Sequence, residues 1–82
     1  MSLKYAKRIY EDIKDLCEQI DSPSLAMEVL STEYDFLRAK SSNEIIRCAK
    51  NIINFLDTIP EEYDSQILYE IEDKIVELDE NF

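Results

Sequence analysis

Apolar residues spaced 3, 4, 3, 4 recur in three separate segments of this 82-residue chain, and no other feature constrains its fold as strongly. The most regular run lies within Ser41–Ile59: Ile45, Cys48, Ile52, Phe55 and Ile59, with Ala49 and Leu56 beside them. At ~100° per residue these share one stripe of a helix, while Arg47, Lys50, Asn51, Asn54 and Asp57 fall opposite. Ala6, Ile9, Ile13, Leu16 and Ile20 repeat the spacing near the start, widened by Leu3, Tyr10 and Cys17. Leu68, Ile71, Ile75, Leu78 and Phe82 repeat it near the end, flanked by Ile67, with Tyr69 and Val76 off the seam. Each such segment must bury one face, so each needs the others.

Helix boundaries are marked by hydroxyl caps and prolines. Ser2 is placed to cap the first helix. The run Asp21-Ser22-Pro23-Ser24 ends it and restarts the chain, because proline at a first helical position loses no hydrogen bond. The second helix runs to about Lys40. Ser41 and Glu44 match a capping box for the third, which stops at Ile59-Pro60. A fourth helix starts either at Pro60-Glu61-Glu62 or after a break at Asp64-Ser65. Connections of two to four residues make neighbouring helices antiparallel. The expected fold is therefore all-α, a single-domain up-down-up-down four-helix bundle over residues 1–82. A three-helix core with the last helix packed on a second chain is the alternative.

The second helix carries two apolar stripes. Ala26, Met27, Leu30, Tyr34 and Leu37 form one, expected to face the first and third helices. Leu25, Val29 and Phe36 form the other, which either faces the fourth helix or makes an exposed patch for a second copy or a partner helix.

Composition narrows function by what is missing. Without glycine there is no phosphate-cradling loop, no dinucleotide-binding turn and no EF-hand loop. Without histidine the commonest general base and metal ligand are lost, and two cysteines alone cannot complete a zinc site. Cys17 and Cys48 both fall on apolar stripes, where thiols are inert, and their heights in parallel helices keep them too far apart for a disulfide. No enzyme activity, cofactor or metal is expected. No secretory h-region or run of ~18 apolar residues is present, so a cytosolic chain without membrane insertion is expected.

Net charge is −10, and residues 61–82 hold nine acids against Lys74 alone. Direct binding to nucleic acid is disfavoured, and the charge is compatible with a basic partner. In this bundle Lys4, Lys7 and Arg8 are expected to offset Glu77, Asp79 and Glu80 at one shared end. Tyr69, Glu70, Asp73, Glu77 and Glu80 on the fourth helix join Leu25, Val29 and Phe36 as candidate partner-binding residues.

The start Met1-Ser2-Leu3-Lys4-Tyr5-Ala6-Lys7, with the chain's length and its Lys/Glu/Ile/Tyr-rich composition, resembles the small acidic cytosolic accessory proteins of T-even-like bacteriophages. The lysis-inhibition accessory proteins, cytoplasmic antiholins, are the most similar in size. That resemblance implies binding to the cytosolic, membrane-associated segment of a holin, without chemistry. The apolar pattern from Leu25 to Leu37, with MEVLSTEYDFL at its centre, is also similar to helical-bundle bacteriocin immunity proteins. The expected function is a regulatory binding module. The alternatives are an acidic inhibitor, immunity protein or nucleic-acid mimic that neutralises a basic site, and a structural homodimer.

Overall fold

Two serine caps set the phase of the inner helices. Ser22 has an extended backbone, and its Oγ accepts the Leu25 N–H at 3.3 Å, with Pro23 next in line. Ser41 is likewise extended, and its Oγ accepts the Glu44 N–H at 3.3 Å. Glu44 reaches back one residue further than a standard capping box, accepting the Lys40 N–H at 2.6 Å. In the computed structural model, which describes residues 3–80, these caps open the second and third of four helices. They are α1 (Leu3–Glu18), α2 (Pro23–Arg38), α3 (Ser42–Leu56) and α4 (Ser65–Glu80). No strand occurs among the described residues. The Ser2 cap and the Phe82 end of the last seam lie outside them.

The helices alternate in direction. Lys14 meets Glu33 at 2.7 Å, while Lys7, earlier on α1, sits over the ring of Phe36, later on α2. Tyr5 donates to Glu77, and Asp12, later on α1, approaches Lys74, earlier on α4. The bundle is not square. α1 and α3 touch along their length, α2 covers one side of that pair and α4 the other. α2 and α4 do not meet among the described residues, and the molecule is flattened to 35 × 23 × 17 Å. α4 packs on α1 and α3 of its own chain, so the fourth helix completes the core without a second copy.

Most seam residues are buried as their spacing predicts. Ala6, Ile9, Tyr10, Ile13, Cys17 and Ile20 meet Ile45, Cys48, Ala49, Ile52 and Leu56, with Ile71, Ile75 and Leu78 from α4. Leu16, Phe55 and Leu68 are only partly covered.

Two expectations are corrected. The α3–α4 link is eight residues, 57–64, not two to four. α3 stops at Leu56, and short turns carry the chain through Thr58, Ile59 and Glu62. The Tyr63 hydroxyl then donates to the Leu56 carbonyl at 2.8 Å, satisfying one of the acceptors that a helix end leaves open. α4 begins after Asp64, whose Oδ1 accepts the Gln66 N–H at 3.0 Å.

The second correction concerns α2. Its buried row is Ser22, Leu25, Val29, Thr32, Phe36 and Ala39, with Val29 half-covered. Met27, Leu30, Tyr34 and Leu37, expected to pack inward, are 72, 65, 69 and 70% exposed. Short links impose this phase. Ile20, Ser22, Ala39 and Ile45 are all buried, so the chain enters and leaves α2 on its core side. Leu25 lies three residues after Ser22, and Phe36 three before Ala39, which carries both inward. Thr32 interrupts the apolar pattern yet fits, because its hydroxyl donates to the Glu28 carbonyl at 2.9 Å. Phe36 stacks on Tyr10 with centroids 4.3 Å apart.

Leu25→Ala is expected to cost ~2–4 kcal/mol in urea unfolding, as for a well-packed core leucine. Leu37→Ala is expected to change stability by less than ~0.5 kcal/mol. Equal costs would mean that α2 is rotated. The Tyr10 hydroxyl is buried without a hydrogen-bond partner among the described residues. Tyr10→Phe keeps the stacked ring and is expected to be neutral or to stabilise by up to ~1 kcal/mol in the same assay.

Candidate interaction surfaces

The candidate partner-binding residues divide between two opposite sides of the molecule. Leu25 and Phe36 are 1 and 5% exposed within the core, and Val29 packs beside them, so these side chains hold α2 to α1 and α3. On α4, Tyr69 is 60% exposed, and Glu70, Asp73 and Glu80 also face solvent. Glu77 is half-covered, accepting from the Tyr5 hydroxyl at 2.9 Å and lying 3.9 Å from Lys74. Because α2 and α4 flank the α1–α3 pair, the structure does not bring the two sets together.

Ion pairing along α4 differs from the sequence expectation. Lys50 of α3 lies 3.6 Å from Asp79, and Lys74 lies 3.6 Å from Asp12. Among the described residues, Tyr5 reaches Glu77 from α1 with an uncharged hydroxyl. The carboxylate hydrogen bond pushes the Tyr5 phenol above its ordinary pKa. Exposed pairs of this kind contribute at most ~1 kcal/mol each.

The surface that the sequence assigned to the core is the outer face of α2. Met27, Leu30, Tyr34 and Leu37 repeat at 3, 4, 3 and form a straight apolar row. Single exposed apolar residues are ordinary, whereas these four align into one continuous apolar patch along the helix. The row is bordered by small, exposed Ala26 and Ser31. On one side it meets a groove of about 390 Å³ between α1 and α2, lined among others by Cys17, Leu25, Ala26, Val29 and Leu30. Lys14 and Glu33 bridge the two helices along that groove at 2.7 Å, and the bond raises the Lys14 pKa. At the far end of the row the Arg38 guanidinium lies 5.3 Å from the Tyr34 ring centroid.

Charge is gathered by end as well as by helix. Antiparallel packing brings the α1–α2 and α3–α4 links together, and the Ser22 hydroxyl donates to Glu62 at 3.1 Å between them. Residues 15–28 and 57–70 at this end hold nine acids and no base. The opposite end holds Lys4, Lys7 and Arg8 of α1 together with Arg38, Lys40 and Arg47, and also Glu77, Asp79 and Glu80 of α4. Asp35 and Glu44 lie among these bases, beside a second cleft of about 300 Å³ between α2 and α3.

Nothing in the described residues concentrates reactive groups. Cys17 and Cys48 are buried free thiols, and burial pushes Cys17 up to about 11 and raises Cys48 as well. No group of three or more acids or cysteines is placed to hold a metal ion among the described residues. No described helix is long and apolar enough to cross a membrane. No known protein family, curated protein or solved structure matches this chain.

The thiols give a pH test. With a thiol pKa near 11, about one thousandth of Cys17 is thiolate at pH 8. Its alkylation in the folded chain is expected to rise roughly tenfold per pH unit between 7 and 10, well below the rate in denaturant. A rate that is already on its plateau at pH 8, followed by mass spectrometry, would contradict the buried environment.

Proposed function

We propose that this chain is a non-enzymatic interaction module that acts by docking an apolar helix along the outer face of α2. The observation that carries this reading is the aligned exposure of Met27, Leu30, Tyr34 and Leu37 on a helix whose other face is already satisfied. A row at heptad spacing is matched by a second amphipathic helix laid along it. The inert thiols fit the same reading, since neither is positioned or ionised for nucleophilic work. The buried thiols also suit a reducing cytosol. The module would regulate by occupancy, holding a partner surface rather than transforming it. On the phage resemblance that partner is a holin's cytosolic segment, whereas the geometry speaks for the coarser reading of helix docking.

The acid end favours a second reading. Nine acids without a base suit a basic segment of a partner, held by charge in the manner of a neutralising inhibitor. Salt separates the two: charge-held binding weakens steeply from low to moderate salt, and apolar docking does not.

A photo-crosslinking residue at Leu30, in the cell that makes the protein, is expected to give a discrete protein adduct that Leu37→Asp abolishes. The same residue at Glu72, exposed on α4, is expected to give none. Absence of an adduct at Leu30, or adducts of equal yield at both positions, would overturn docking through α2.

A further inference from the structure

We infer that the helix docked on α2 is α2 of a second copy, running antiparallel across a twofold axis. The inference rests on the docking reading above and names its occupant.

Three features of the face are self-complementary. The row is symmetric in spacing: 3, 4, 3 from Met27 to Leu37 reads the same in either direction. Reversing a second copy therefore sets Met27 against the other Leu37 and Leu30 against the other Tyr34, with no residue out of register. Such an isologous contact closes on itself and gives a dimer, not a filament. The borders allow close approach. Ala26 and Ser31 add little bulk, and Glu33, near the axis, is already engaged by Lys14 at 2.7 Å. Glu33 therefore does not face its own symmetry mate as a bare charge.

Charge then chooses the orientation. α2 starts at the acid end, beside Asp15, Glu18, Asp21 and Glu28, and finishes at Arg38 and Lys40. In the antiparallel pair Arg38 and Lys40, at the mixed end of each α2, lie over the acidic start of the other. A parallel pair would stack acid end on acid end, in a chain that already carries −10. Like charges juxtaposed across an interface cost several kcal/mol, so the parallel arrangement is excluded and random association suppressed. The groove supplies a further fit. Ala26 and Leu30 lie at its lip, and in this register they stand opposite Arg38 and Tyr34 of the second copy.

The face is short. A 16-residue helix spans ~24 Å, which places the contact at the small end of specific interfaces, around 1,000 Å². A dimer that dissociates on dilution in the micromolar range is expected.

The test is solution mass by light scattering and sedimentation, from about 1 to 200 µM, with helicity followed in parallel. The wild-type chain is expected to approach twice its 9.7 kDa mass at the upper end. Leu30→Asp is expected to remain monomeric throughout, with helicity and thermal midpoint retained, because Leu30 is exposed in the single chain. Arg38→Glu with Lys40→Glu is expected to weaken the dimer at least tenfold. Adding Asp21→Lys and Glu28→Lys to that variant restores the charge match and is expected to recover most of the loss. A wild-type chain that stays monomeric at 200 µM overturns self-pairing, and it leaves α2 docking standing if the Leu30 crosslinker captures a different protein. A dimer that splits with Leu30→Asp but ignores the charge reversals overturns the antiparallel arrangement. A dimer unaffected by Leu30→Asp overturns self-pairing through this face, and α2 docking is then judged by the Leu30 crosslink alone.

Discussion

The rotation of α2 about its own axis decides what this molecule presents to its surroundings. Its two apolar rows are comparable in size, and only one can pack on α1 and α3. The short links at either end make the choice. Buried Ile20 and Ser22 deliver the chain to α2 on the core side, and buried Ala39 and Ile45 take it away on the same side. The Tyr10–Phe36 stack and the Lys14–Glu33 bond then fix the phase from the α1 side. Burying one large apolar side chain is worth ~1.5–3 kcal/mol, so leaving Met27, Leu30, Tyr34 and Leu37 in water forgoes a considerable stabilisation. That uncovered row is the largest apolar feature the folded chain leaves in water on α2.

The core beneath α2 tolerates two polar intrusions in different ways. Thr32 enters a buried row with its hydroxyl satisfied by the Glu28 carbonyl, so it adds volume at little cost. Tyr10 enters with its hydroxyl unpartnered among the described residues, close enough to Cys17 and Cys48 to feel both buried thiols, which are only weak hydrogen-bond partners. Burial and the neighbouring thiols raise the phenol's pKa, keeping it neutral. The ring's stacking with Phe36 offsets the orphaned hydroxyl and ties α1 to α2 at the base of the exposed row.

The charge pattern acts on a longer scale. In sequence order the acids accumulate in the last quarter, which suggested one acidic helix as the place where a partner binds. Folding redistributes them. Lys50 and Lys74 moderate the end of α4, while the two links at the other end combine acids from both halves of the chain. The result is a molecule with one acidic end and one mixed, more basic end. α2 connects the two, so any ligand lying along it experiences a gradient of potential as well as an apolar row.

Much of this was legible in the residues alone. The 3, 4, 3, 4 seams of α1, α3 and α4, the Ser22-Pro23 and Ser41/Glu44 starts, and the all-α bundle follow from periodicity and backbone hydrogen-bonding needs, which are local. The burial of Cys17 and Cys48 was legible for the same reason, since both sit on seams. The phase of α2 was not. Apolar counting favoured Met27, Leu30, Tyr34 and Leu37, and the clue that points the other way was the alignment of Ser22, Thr32 and Ala39 with Leu25, Val29 and Phe36. Small and polar residues are silent in an apolar pattern, yet they belong in a core when a link must enter close or a hydroxyl can bond its own helix. The extent of the α3–α4 link depended on Tyr63 reaching the Leu56 carbonyl, a contact no spacing rule contains. Sequence by itself determined which segments are helices and where the second and third of them start. Tertiary structure decided which face of α2 remains outside and which acids share an end, because both depend on how separate segments compete for the same buried volume.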